Sequence, residues 1–433
     1  MKPRLPVPVL LSALLACAGC GPASDPVVTG TAAELRVDPW PLPVPPDSHT
    51  PDLVPHPDGG VVLAWTHRLG SEGHALDFAR EDRGQWTPPV RIAQGTDWFV
   101  NWADTPHLAL LPDGSLWAQW LQRTGEGRYD YGIALARSSD GGASWTRAAP
   151  VHPQGLRLDF GFASLWAAAD DRLGIAWLDS RHRQEPAGHG HGAAQAHDHA
   201  HANGAMALYA TTVGPDGEPA PARLLDEGTC DCCPTAAAGD GDDLLLAYRS
   251  RRAGEVRDIH VVAARGGHWG APVEVAADGW SIAGCPVNGP AIARNGDRVW
   301  VAWPSERDGE PVVRLARSDD GGASFHPAVD WRAGPGQLGR TAIAAGRRSL
   351  WWAWMEEDDQ GQRLLLATAA QDADPRSARV IEVARLAARG RASGFPRLLA
   401  DDTGARVVWT DVEDGRPVLR GARVAWSRTA PQG

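Results

Sequence analysis

The sequence predicts an all-β chain: a single propeller of four-stranded antiparallel blades, seven in number, or six if one repeat is degenerate. Three observations carry this. First, seven apolar stretches end in an aromatic: Ala64-Trp65, Gln119-Trp120, Ala176-Trp177, Ala247-Tyr248, Ala302-Trp303, Ala353-Trp354 and Val408-Trp409, with the aromatics 55, 57, 71, 55, 51 and 55 residues apart. Second, most copies repeat one order of short strands and turns. Third, the last copy lacks a fourth strand, and the segment ahead of the first copy supplies a candidate.

Each repeat opens on a Pro- or Gly-containing first strand, as in Thr50-Pro51-Asp52-Leu53-Val54 and Thr105-Pro106-His107-Leu108. A turn follows at Asp58-Gly59, Asp113-Gly114 or Gly296-Asp297, and then a second strand that carries the aromatic, such as Val61-Val62-Leu63-Ala64-Trp65. A third strand (residues 132–137 and 313–317) and a weaker fourth complete the unit. β-Branched and aromatic runs bounded by turn residues read as antiparallel strands. Residues 33–37 are expected to pair with the last repeat, closing the ring and removing an exposed sheet edge. The 20 tryptophans read as apolar wedges between blades.

Residues 1–20 read as an export signal: Met1-Lys2-Pro3-Arg4 is basic, residues 7–15 are apolar, and Ala16-Cys17-Ala18-Gly19-Cys20 is a small-residue cleavage zone. Residues 21–48 read as a linker with the closing strand, its Pro-rich part 39–46 a semi-rigid tether, and residues 49–433 as the propeller. The start resembles a bacterial lipoprotein signal. Leu14-Leu15-Ala16-Cys17 fits with Leu at minus three; Ala18-Gly19-Cys20 fits with Gly at minus one, so the lipidated residue is Cys17 or Cys20. That resemblance implies a protein on the periplasmic face of a bacterial membrane, touching the membrane only through its anchor. A net charge of −11 argues against nucleic acid and anionic membrane surfaces as partners.

Two third strands end in one turn, Ser138-Ser139-Asp140-Gly141-Gly142-Ala143-Ser144-Trp145 and Ser318-Asp319-Asp320-Gly321-Gly322-Ala323-Ser324-Phe325. The turn resembles the Asp-box of sialidase-like (BNR repeat) propellers. Asp and Ser side chains satisfy the turn's amides, glycine takes positive φ and the aromatic plugs the blade. The resemblance implies the fold and places this turn on the blade periphery. The sialidase catalytic set does not carry over. His49 in Ser48-His49-Thr50-Pro51 stands where that family has an arginine, and Tyr129, Tyr131, Tyr209 and Tyr248 leave the last three repeats without tyrosine. Arg251, Arg257 and Arg340 form no recognisable carboxylate clamp, so sialidase activity is not expected.

Beyond the signal, four cysteines remain. Cys230, Cys232 and Cys233 lie in Thr229-Cys230-Asp231-Cys232-Cys233-Pro234-Thr235, and Cys285 lies in Gly284-Cys285-Pro286-Val287-Asn288-Gly289-Pro290. Both motifs start first strands of adjacent blades, which puts them within about 10 Å on one face. Disulfides are one reading, through Cys230 or Cys232 with Cys285, or a vicinal Cys232–Cys233 bridge. A thiolate site for copper first and zinc second is the other. The 71-residue spacing holds an insertion, 181–203, with His182, His189, His191, His197, His199 and His201. It joins second and third strands and therefore emerges on the cysteine face, where its imidazoles are expected to collect metal. His49, Asp104 and His107 are further candidates there. Arg249, Arg251, Arg257, Asp258 and Asn288 read as a solvated rim. The paired cysteine motifs resemble a subset of exported sialidase-like propellers, which implies a shared site and no reaction.

The resulting expectation is a lipid-anchored propeller binding a transition metal through Cys230, Cys232, Cys233 and Cys285, with His189, His191, His197, His199 and His201 as collectors. It would serve metal handling or delivery to a periplasmic partner protein. The alternatives are a glycan-active hydrolase with bridged cysteines, or a protein-binding platform.

Overall fold

Seven antiparallel sheets make up the computed structural model, which describes residues 34–183 and 205–427. In the first blade Ser48–Pro55 pairs with Val61–Leu69 and this with Gly73–Asp82, whose outer partners are Gln85–Trp86 and Val90–Gly95. The other first strands are His107–Leu110, Phe160–Ala167, Ala236–Asp240, Ala291–Asn295, Gln337–Ala345 and Arg397–Ala400. Each touches the next around a closed circuit, and Arg397–Ala400 returns to Ser48–Pro55. The blade count is seven, not six.

An N-terminal strand closes the ring, as expected, but sits two residues later than residues 33–37. Leu35–Pro39 pairs with Arg416–Trp426, Leu35 opposite Trp426 and Pro39 opposite Ala422. Trp40 explains the shift. It is 3% exposed, lies 5.2 Å from Trp86 between ring centroids, and its backbone N–H donates to Gly421 O at 2.9 Å. Trp40, Leu42 and Val44 pack on one apolar cluster. The Pro-rich segment is therefore part of the fold, where a tether was expected.

The core lies between blades. Seven apolar clusters occur among the described residues, and each joins two sequence-adjacent blades or the last to the first. All seven repeated aromatics are buried. A sheet twists too strongly to cover its own faces, so each blade buries its faces on its neighbours, and the repeat period is the period of those seams. The two Ser-x-Asp-x-Gly turns take the expected form at the third-to-fourth connections. Gly142 N donates to Ser138 Oγ at 2.8 Å and Ser144 N to Asp140 Oδ1 at 2.9 Å, and Gly142 (φ 95°) leaves no room for a Cβ against Phe78. Second-to-third turns and first-strand starts share the opposite face. No helix among the described residues is long and apolar enough to cross a membrane.

Candidate metal centre

The strand Arg223–Thr229 ends the third blade, and the chain crosses to Ala236–Asp240 of the fourth through the cysteine motif. Cys230 N donates to Arg249 O at 2.9 Å, and Thr229 Oγ1 donates to Met206 O at 2.8 Å, which fixes the crossing. Cys230 Sγ lies 3.2 Å from Cys233 Sγ and 4.0 Å from Cys232 Sγ, and the three sulfurs all fall within 4.8 Å of one another. The four cysteines among the described residues are free thiols. Cys285 stands outside the three-sulfur group, and the Cys232 thiol is the main influence drawing its pKa down. Its motif is seated on the first: a Cβ on Gly289 would lie 1.9 Å from Pro234 O, so only glycine allows the two connectors to touch.

Charge is arranged around one sulfur. The neighbouring Cys232 and Cys233 thiols hold Cys230 well below the usual thiol range, and the Arg257 and Arg249 guanidiniums add to this. Arg257 Nη1 donates to Cys230 Sγ at 3.1 Å. Burial raises Cys233, while the Cys230, Cys233 and Cys285 sulfurs raise Cys232. A chain of alternating charges leads outward: Arg257 to Glu255 at 2.5 Å, Glu255 to Arg251 at 3.0 Å, Arg251 to Asp231 at 3.0 Å and Asp231 to Arg183 at 2.7 Å. Three thiolates around a singly charged ion leave negative charge, which these arginines offset.

The donor set fits a soft ion. Tetrahedral zinc with Zn–S bonds of about 2.3 Å separates sulfurs by about 3.8 Å, so sub-ångström movements suffice. Among the described residues only cysteines form such a group. His189, His191, His197, His199 and His201 lie outside the described residues, as do Cys17 and Cys20. His182 instead bonds Tyr209 OH at 2.6 Å. His49, Asp104 and His107 were candidate contributors on this face, and none joins the sulfurs. His107 Nδ1 pairs with Asp52 at 3.3 Å, Asp104 Oδ1 accepts Phe162 N–H at 2.8 Å, and His49 lines a separate cleft.

The expected solvated rim is largely buried. Arg249, Arg257 and Asp258 are each at most 5% exposed. Arg249 donates to Asn288 O, Arg257 O and Pro304 O, and so ties two connectors to the strand Arg298–Arg307. Sequence reasoning also missed Arg257 as the thiolate's partner and Asp231 as an anchor; the Asp inside C-D-C-C was the visible hint of the latter.

The same face carries a cleft of about 820 Å³ over the seventh, first and second blades, lined by Arg68, Arg123, Arg391, Arg416, His49 and Thr50 among others. Arg416 lies 3.8 Å from Asp47. Arg68, Arg123 and Arg391 have no carboxylate within 4.0 Å among the described residues. Burial, then His74 and Arg68, press His49 down to about 4. Thr50 Oγ1 is buried without a partner.

No family model matches the chain, and no curated protein matches it. Similar solved structures include polysaccharide lyases and sialidases with propeller folds. A Dyadobacter fermentans protein of unknown function is 14% identical, TM-score 0.50, over 88% of this chain and 95% of its own. A PL25 ulvan lyase bound to -[GlcA(1-4)Rha3S]- is 12% identical, TM-score 0.52, over 84% and 90%. The NanB sialidase of Streptococcus pneumoniae is 9% identical, TM-score 0.44, over 86% and 83%. At such identities the likeness to the first two is one of fold alone.

Proposed function

We propose that this chain is an exported, lipid-anchored propeller of the periplasmic face that binds a transition metal, copper first and zinc second. Cys230, Cys232 and Cys233 are the inner ligands, with Cys285 beside them. The carrying observation is the three-sulfur group within 4.8 Å, one sulfur of which already accepts a hydrogen bond from a buried arginine. Soft thiolates select Cu(I) and Zn(II) over harder ions. The histidines of residues 184–204 supply borderline donors suited to collecting metal, and the role is handling or transfer to a periplasmic partner protein. The test is anaerobic Cu(I) titration of reduced full-length chain against a chromophoric chelator. One tightly held copper per chain, lost in Cys232→Ser, supports the reading; a chelator that strips all copper from the wild-type chain overturns it.

A second reading draws on the cleft: an acidic glycan held by Arg68, Arg123 and Arg391, with the thiols structural. Three guanidiniums without carboxylates on a chain of net charge −11 favour an anionic ligand. The site lacks the paired groups of a glycosidase, so this reading is one of binding.

A further inference from the structure

The four thiols differ in their access to solvent. Cys230 and Cys233 are 0% and 2% exposed, with their sulfurs 3.2 Å apart. Cys232 and Cys285 are half-buried; Cys232 stands 4.0 Å from Cys230, and the connector of Cys285 packs on Pro234 through Gly289. The inner pair has C-x-x-C spacing, in which one short movement joins the sulfurs: a bond of about 2.05 Å needs an approach of about 1.2 Å. Arg257 Nη1, at 3.1 Å, occupies a further side of Cys230 Sγ and opposes a dication there. An arriving ion therefore meets the outer pair first, in contact with an electron-rich inner pair that solvent does not reach.

Cupric ion and thiols do not coexist in contact; sulfur is oxidised and the metal becomes Cu(I), the state that thiolates retain. We propose that Cys230 and Cys233, ligands while reduced, form a reducing dithiol for cupric ion, and that Cys232 and Cys285 hold the cuprous product once the inner sulfurs are joined. This deepens the copper reading above and rests on it. The step balances as two Cu(II), the Cys230 thiolate and the Cys233 thiol giving two Cu(I), one Cys230–Cys233 disulfide and one proton. One S–H bond breaks and one S–S bond forms. Each sulfur gives up one electron, each copper takes one, and the proton leaves to solvent. Electrons pass from Cys230 to the outer pair across the 4.0 Å contact with Cys232.

The experiment adds Cu(II) sulfate to reduced full-length chain under argon, with bicinchoninate reporting Cu(I), followed by alkylation and non-reducing peptide mapping. Expected are two Cu(I) per chain and a Cys230–Cys233 disulfide, with Cys232 and Cys285 alkylated once copper is removed. The Cys232→Ser, Cys285→Ser double variant should still reduce copper but release Cu(I) at least tenfold more readily. Four alkylated thiols after Cu(II) addition, or a Cys232–Cys285 disulfide, overturn the proposal. The map is made on the native chain, so misfolding of a variant does not blunt it. Cu(I) supplied directly separates the two levels. Its retention by a chain that forms no Cys230–Cys233 disulfide with Cu(II) overturns the reductive step alone; its loss overturns the copper reading and this inference together.

Discussion

Asp231 Oδ2 and Arg183 Nη2 meet at 2.7 Å, directly beside the sulfur group. Arg183 precedes residues 184–204, and Met206, just beyond them, donates its N–H to Asp231 Oδ1 at 3.2 Å. One carboxylate inside the cysteine motif thus holds both ends of the histidine insertion and also Arg251 at 3.0 Å. Asp231→Asn keeps the shape and removes the charge. It should cost about 1–3 kcal/mol of stability and about tenfold in metal affinity, as supporting groups around metal ligands do. Chemical denaturation and chelator competition check these; unchanged affinity would separate Asp231 from the site.

Gly289 and Pro234 offer a sharper structural test. Gly289→Ala sets a Cβ 1.9 Å from Pro234 O, whereas a Cβ on Gly284, five residues earlier, meets nothing closer than Ile282 at 3.8 Å. The first change should cost about 2–4 kcal/mol and loosen Cys285 from the other sulfurs; the second should be near neutral. Equal melting temperatures would mean that the connectors yield.

The blades were legible because the seam between two sheets imposes one aromatic per repeat, and that period survives in the primary structure as Trp65, Trp177, Trp303 and Trp354. The cysteine pairing of blades was legible for the same reason: first-strand starts recur at fixed places. The rim was not. Arg249 looks like a surface residue, yet its partners are the carbonyls of Asn288, Arg257 and Pro304, and backbone acceptors leave no mark in sequence. The cleft was hidden too, because Arg68, Arg123 and Arg391 come from three separate blades and meet only through connector geometry.

Ring closure rests on Trp40. Trp40→Ala removes a buried indole at the seam between the first and last blades and should cost about 3–5 kcal/mol. Trp86→Ala should cost less, because Trp86 is half-buried where it stacks on Trp40. Thermal unfolding compares them, and a smaller loss for Trp40→Ala would show that the closing strand holds without its anchor.

The cleft makes its own prediction. Arg68→Ala with Arg391→Ala should weaken binding of a uronic-acid oligosaccharide at least tenfold, leave a neutral one unaffected, and spare metal binding on the far side of the mouth. Calorimetry reads all three. No heat with the wild-type chain would remove the glycan reading.

Asp104 sets a pH dependence whose sign is fixed by burial. Its Oδ2 has no partner, and burial, reinforced by the Asp159 charge and opposed by the Phe162 N–H, pushes it up to about 8. The folded state therefore keeps a proton that the unfolded state releases near 4, so this group's contribution to stability falls as pH climbs from about 4 to about 8 and is level above that. Asp52 acts elsewhere. Burial raises it, but His107, Arg397 and the Leu108 N–H bring it down to about 2, so its contribution is lost only in acid. Asp104→Asn keeps an acceptor for Phe162 N and removes the titration. The variant should exceed the wild type in stability by on the order of a few kcal/mol at pH 8, with the gap shrinking toward pH 5. Because other titrating groups are common to both chains, the difference isolates Asp104. A gap that stays constant across that range would mean the carboxyl is ionised in the folded protein.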